Sequence, residues 1–265
     1  MTVKRKGIFW LLDLTQGIDL SIFLFGEFEL GTSAGYRRLV SALRRKHGLC
    51  IIYDVGANIG SHSLPLANEC RRLDEVHAFE PTSWAIKKFN ENLSLNTKLA
   101  SFLTVNQTMV TTSEVKKVPE ALESSWSLKE KADRLSRHGA QFKSTKGSGL
   151  TTLDEYKFNN HNSKIVSLVK IDVDGYESDV LYGAIELLKR DKPLIVIEWA
   201  PYLFDYTENS LANAYPLLAD IGYTFAYKFP GLQELSCSLP DIVLKNGESI
   251  NIVISTYDLQ DHFNL

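Results

Sequence analysis

The run Cys50-Ile51-Ile52-Tyr53 ends in Asp54, and Val55-Gly56-Ala57-Asn58-Ile59-Gly60 follows at once. An apolar run closed by an acid and a glycine-punctuated turn predicts a strand, a tight loop and a helix start. In an open α/β sheet that junction lies outside a strand's carboxyl end, where nucleotide-like ligands bind. Gly56 and Gly60 allow positive φ and close backbone approach. Asn58 is the kind of non-glycine residue that best tolerates left-handed geometry. The N–H groups of Ile59, Gly60 and Ser61 are expected to face the ligand.

The glycine spacing is G-x-x-x-G, not the dinucleotide fingerprint G-x-G-x-x-G. Asp54 stands two residues before the first glycine. An acid there repels a pyrophosphate and attracts a cation such as the ammonium of an amino-acid moiety. S-adenosylmethionine (SAM) carries that ammonium and a sulfonium, and it has no phosphate.

Two further strand ends carry acids. Glu75-Val76-His77-Ala78-Phe79-Glu80 alternates and stops at Pro81, the first residue of a turn into a helix through Trp84, Ile86 and Phe89. Glu80 lies roughly 20–30 residues beyond the loop, where an acid grips ribose hydroxyls. Ser167 to Ile171 is a β-rich run that leads into Asp172-Val173-Asp174-Gly175. Alternation puts Asp172 and Asp174 on one face, and clustered carboxylates raise one another's pKa.

These pieces, with Thr151-Thr152-Leu153-Asp154-Glu155-Tyr156 and Pro193-Leu194-Ile195-Val196-Ile197-Glu198, resemble the FkbM family of SAM-dependent methyltransferases. The resemblance runs from about Gly26 to the C-terminus. It implies a class I methyltransferase (Rossmann-like) α/β fold: a seven-stranded, mostly parallel sheet with an antiparallel last strand and helices on both faces. It also implies methyl transfer to a hydroxyl oxygen, often of a sugar, glycan or other small molecule. Asp174 departs from the family, which often carries Glu there. Ser113 to Gly149 aligns with no family motif.

Residues 1–48 are expected to form an N-terminal helical segment on a methyltransferase domain of residues 49–265. Within that domain, 113–149 is a charged excursion with helix-forming Leu122, Leu128 and Leu135, read as a substrate lid or insertion. Tyr36, Leu39, Val40 and Leu43 recur at helical spacing. Strands are expected at 50–54, 75–80, 101–106, 165–173 and 194–199, and a helix at about 210–219. The last two runs, Tyr223–Phe229 and Ile250–Ser255, should pair antiparallel, because no helical pattern separates them.

A net charge of −3 provides no basic field for nucleic acid. The apolar runs Ile8–Leu12 and Ile22–Phe25 are too short to span a membrane. They are expected to pack on the core or against a second copy in a homodimer. Cys50, Cys70 and Cys237 are odd in number and lack C-x-x-C spacing, so neither a disulfide framework nor a zinc site is expected. Free thiols point to a reducing, cytoplasmic setting.

SAM brings an already activated methyl, so the protein must align an acceptor and take its proton. The expected cofactor residues are Asp54, Gly56, Ala57, Asn58, Gly60 and Ser61 for the amino-acid end, Glu80 and Pro81 at the ribose, and Asp172. Candidate bases are Asp172, Asp174, Glu198 and His62, the last having the best intrinsic pKa. Tyr176, Trp199 and Tyr202 are candidates to stack on a sugar face. No metal site is expected, although Asp172, Asp174 and Glu198 could hold Mg²⁺ with waters. The alternatives are an NAD(P)-dependent oxidoreductase on a similar sheet and a non-catalytic SAM-binding scaffold.

Overall fold

The computed structural model describes residues 1–133, 136, 139–200, 211–235, 244 and 248–263. Leu135, Tyr202 and Cys237 lie outside the described residues. No described helix is long and apolar enough to cross a membrane.

The chain opens with a hairpin, β1 (Thr2–Arg5) and β2 (Ile8–Leu11), turned by Lys6 and Gly7 at positive φ. Residues 1–48 are therefore not wholly helical. Ile8 and Trp10 point inward while Phe9 and Leu11 point out. The open edge of β2 is satisfied by two asparagine side chains. Asn96 Oδ1 accepts from Phe9 N at 2.9 Å, and Asn92 Oδ1 accepts from Leu11 N at 2.8 Å. Helix α1 (Gly17–Phe25) stops at left-handed Gly26. Helix α2 (Thr32–His47) buries Tyr36, Leu39, Val40 and Leu43, the stripe its periodicity predicts.

The α/β core then alternates: β3 (Ile51–Val55), α3 (Ser63–Glu69), β4 (Glu75–Phe79), α4 (Ser83–Ser94), α5 (Thr97–Ala100) and β5 (Leu103–Asn106). An excursion follows with β6 (Thr108–Val110), β7 (Ala121–Ser125), β8 (Gln141–Ser144) and β9 (Gly149–Thr151). The core resumes with α6 (Leu153–His161), β10 (Leu168–Ile171), α7 (Glu177–Tyr182), α8 (Ile185–Asp191), β11 (Leu194–Trp199) and α9 (Leu211–Ile221). The chain ends with β12 (Phe225–Lys228), β13 (Gln233–Glu234), β14 (Ile250–Ser255) and α10 (Leu259–Phe263).

The main sheet has the order β13-β12-β14-β11-β10-β3-β4-β5. β11, β10, β3, β4 and β5 are parallel, and β14 pairs antiparallel with both β11 and β12. The α/β class and the antiparallel final pair are as the sequence predicts. The strand count differs: two-residue β13 adds an eighth strand, too short to leave a pattern in the sequence. All five residues of β3 are buried because both faces of the sheet are covered. Ile52 faces one core, with Leu39, Leu43 and Phe89; Ile51, Tyr53 and Val55 face the other, with Val180, Leu181 and Ile197.

Within 113–149, β7 and β8 pair antiparallel. Leu122 thus lies on a strand and not on the expected helix. The hairpin docks on the glycine loop, where Asn58 Nδ2 donates to Ser124 O at 3.1 Å and Thr82 Oγ1 lies 2.8 Å from Ser124 Oγ.

Candidate active site

Strand register builds the site. Val55 is level with Phe79 of β4 and Ile171 of β10, and Ile171 is level with Ile197 of β11. The next residues along each strand, Glu80, Gly56, Asp172 and Glu198, therefore form one row at the sheet's carboxyl edge. Above that edge lies a cleft of about 1060 Å³ counted to its open mouth. Its walls include Gly56, Asn58, Glu80, Pro81, Thr82, Asp172, Asp174 and Tyr176, with apolar surface from Phe79, Met109, Val110, Leu122 and Phe142.

The two loop glycines serve packing. At Gly56 (φ +81) a Cβ would stand 1.7 Å from the Asp172 carbonyl oxygen, and at Gly60 (φ +86) it would stand 2.7 Å from the Phe89 ring. Asn58 takes the left-handed conformation its side chain tolerates (φ 48). Five of the loop N–H groups are already engaged, those of Gly56 and Ala57 by Phe79 O, each at 3.0 Å. Asn58 N donates to Glu80 Oε2 at 3.1 Å, Ile59 N to Asn58 Oδ1 at 2.9 Å, and Gly60 N to Ala57 O at 2.9 Å. The expectation that Ile59 and Gly60 offer theirs to a ligand is corrected: the loop turns back on itself and the helix begins only at Ser63.

Glu80 is gripped from both sides. Its Oε1 accepts from Thr82 N at 2.8 Å and Thr82 Oγ1 at 2.6 Å, while Oε2 takes the Asn58 N–H. Burial pushes its pKa up, and the Thr82 and Asn58 hydrogen bonds act against that shift.

Asp54 is fully buried and does not line the cleft. Ser63 Oγ donates to its Oδ2 at 2.5 Å, and Lys170 Nζ stands 3.3 Å from its Oδ1. Lys170 also lies 3.1 Å from Asp172 Oδ2 and donates to Gly56 O at 3.2 Å. The expected ammonium contact at Asp54 is thus filled by the chain's own cation. Burial opposes the Lys170 charge, but Asp172 and Asp54 outweigh it and raise the lysine. For Asp172, burial is outweighed by Lys170 and His62, which hold the carboxyl below its usual value.

Its neighbours go the other way. Burial, then the Asp172 charge, pushes Glu198 up to about 8. Burial, Asp172 and Glu198 push Asp174 well above the carboxylate range. Burial raises Glu177 to about 7. A hydrogen bond from Glu198 also helps to hold Asp172 down. Oxygens of Asp172, Asp174 and Glu198 lie within 4.8 Å of one another, a set able to hold a hard cation with waters. Asp174 sits at φ 52, a conformation an aspartate tolerates better than a glutamate with its longer side chain.

His62, Ala57 and Ser61 do not line the cleft. His62 is buried against α2, with Nδ1 3.0 Å from Tyr36 OH and Nε2 3.7 Å from Glu29 Oε2. Burial lowers its pKa. As a base it is misplaced, because it packs behind the glycine loop and not above it. Trp199 is buried, and Tyr176 reaches the cleft wall. Sequence reasoning missed Thr82, Met109, Val110 and Phe142, which line the cleft. A threonine two residues after a strand-end acid was a usable signal for Thr82.

No curated protein matches the chain. Among solved structures, methyltransferase FkbM from Methylobacillus flagellatus KT matches at 16% identity and a TM-score of 0.47, over 83% of this chain and 47% of that one. The chain thus spans about half the length of that protein. An O-methyltransferase from Bacillus cereus in complex with S-adenosylhomocysteine matches at 11% identity and a TM-score of 0.49, over 85% of this chain and 81% of that one. Residues 54–225 match the family described as the Methyltransferase FkbM domain, which is more than half of the chain. The chain belongs to the FkbM methyltransferase family.

Proposed function

We infer that the protein binds SAM and transfers its methyl group to a hydroxyl oxygen of a small molecule, a sugar or a glycan. The observation that carries this reading is the row of Glu80, Gly56 and Asp172 at the sheet's carboxyl edge, all three lining one cleft, with Glu198 next in the row beside Asp172. The donor set fits the cofactor. Glu80 is an acceptor for hydroxyls at one end, and Phe79, Met109, Val110 and Leu122 offer apolar surface for a flat ring. Asn58, Pro81 and Thr82 complete the wall on the glycine-loop side. When bound, SAM supplies an activated methyl, and the protein's share is alignment and proton removal.

Asp172, the member of the acid cluster that stays ionised, is the group proposed to take the hydroxyl proton, with Asp174 and Glu198 beside it. An ionised carboxylate can accept a proton, and a cation beside it favours that ionised form. Lys170 keeps Asp172 charged and holds it in place. Tyr176, more exposed, stands at the mouth, where a sugar face can stack. Residues 49–265 are read as the catalytic domain, with the β7–β8 hairpin as the lid that supplies Leu122, Glu123 and Phe142.

Calorimetric titration with S-adenosylhomocysteine, using NAD as control, tests the reading. Binding of the former alone supports it and justifies screening hydroxylated acceptors. A folded protein that binds neither leaves the scaffold of the fold without its cofactor and overturns it.

A further inference from the structure

A second cluster lies away from the cleft. Glu75 and His77 stand two residues apart on β4, so alternation sends both side chains to one face. His161, the last residue of α6, comes down on that face. Glu75 Oε2 lies 3.2 Å from His77 Nε2 and 3.0 Å from His161 Nε2. The two imidazole rings meet edge to face with centroids 4.4 Å apart. One oxygen and two ring nitrogens thus converge, all within 4.8 Å of one another. A tetrahedral ion with bonds of about 2.0–2.1 Å separates its ligands by roughly 3.4 Å, so two of the three edges are already near that length.

Each ring is also held from behind. His77 Nδ1 lies 2.9 Å from Tyr156 OH, and His161 Nδ1 lies 2.8 Å from Tyr53 OH. Metal-binding histidines need this kind of support, which fixes ring orientation and tautomer. Tyr156 OH has Asn106 Oδ1 at 3.4 Å as an acceptor, so its oxygen is able to receive the His77 Nδ1 proton. The carboxylate side is 33% exposed, which gives an ion a route in.

We propose that Glu75, His77 and His161 form a binding site for a borderline divalent cation, zinc above all, near the amino end of β4. Two imidazoles and one carboxylate are a zinc donor set, and the fourth position opens to water. On binding, each ring carries its proton on Nδ1, donated to the tyrosine oxygen, and turns the Nε2 lone pair to the metal. Lys164, with Nζ 2.5 Å from Glu75 Oε1, is the resident counter-ion and is exposed enough to swing aside. The site is independent of the transfer reaction.

The test is zinc titration of the chelator-treated protein against a chromogenic competitor, with folding of each variant checked by circular dichroism. One ion per chain is expected. His77→Gln and His161→Gln should each weaken binding by more than Tyr156→Phe, which should cost about 10–100-fold. Lys164→Ala should tighten binding by removing a competing cation, an effect that a plain ion-pair network does not produce. Cys50→Ser, Cys70→Ser and Asp172→Asn should leave it unchanged. If the histidine variants do not fold, the cobalt spectrum of the wild-type protein decides. Nitrogen and oxygen ligation without a thiolate charge-transfer band supports the site, and a thiolate band overturns it. No zinc uptake in the micromolar range, or no gain in Lys164→Ala, also overturns it.

Discussion

The backbone N–H of Asn58 donates to Glu80 Oε2 at 3.1 Å, so the glycine loop after β3 and the acid after β4 are locked as one unit. A ligand that meets Glu80 therefore meets a carboxylate already oriented by the loop. Glu80→Ala removes both the acceptor and the anchor. Affinity for S-adenosylhomocysteine should fall about 10- to 100-fold, the worth of roughly 1.5–3 kcal/mol for hydrogen bonds to a charged group. Glu80→Gln should fall less, since one carbonyl acceptor remains. Calorimetry reads both, and unchanged affinity in the alanine variant sinks the ribose assignment.

Lys170 is the buried cation among Asp54, Asp172 and the Gly56 carbonyl. Lys170→Met leaves two carboxylates without their cation. Breaking a buried pair from one side costs about 3–5 kcal/mol. Urea unfolding at neutral pH should show a loss of that size. Adding Asp54→Asn should recover part of it, because the second change removes one of the stranded charges. A single variant as stable as the wild type would mean that the lysine is incidental.

The central strands were legible as apolar runs, and several are closed by an acid, a glycine or a proline, as at Asp54, Glu80-Pro81 and Asp172. Leu194–Trp199 and Ile250–Ser255 match their predicted bounds. Other features depend on contacts between distant segments. His62 follows the glycine loop in sequence, yet only the packing of α2 decides that it meets Tyr36 and not the cleft. The strand β7 reads Ala-Leu-Glu-Ser-Ser, which has no alternation to mark it, and it forms because Gln141–Ser144 pairs with it. The role of Lys170 was partly visible, since a lysine inside an apolar strand must find acids. Which acids it finds follows from the register that sets Lys170 level with Asp54.

Gly56 is fixed by two constraints at once, a φ of +81 and an Asp172 carbonyl oxygen 1.7 Å from where a Cβ would sit. Backbone strain and overpacking together put Gly56→Ala at about 3–5 kcal/mol of lost stability. Gly7→Ala is the control. Its φ is also positive (+87), but nothing lies within 4 Å, so only the strain remains. Thermal unfolding should rank Gly56→Ala well below Gly7→Ala. Equal losses would show that the contact with Asp172 relaxes at little cost.

Glu177 sets a pH dependence of stability. It is buried, and its Oε1 accepts from Val173 N and Gly175 N, each at 3.2 Å. Burial raises its carboxyl from 4.5 to about 7, against those hydrogen bonds. Between these two values the folded chain holds a proton that the unfolded chain has released, so unfolding becomes easier as pH rises. The contribution is complete below about pH 4.5 and is lost as pH climbs through 7, for about 3 kcal/mol across the window. Glu177→Gln keeps an acceptor for both N–H groups and cannot ionise. Its denaturant midpoint should change less than the wild type's between pH 5 and pH 8, and it should be the more stable protein at the upper end. Parallel pH profiles for the two proteins would place the proton on another member of the acid cluster.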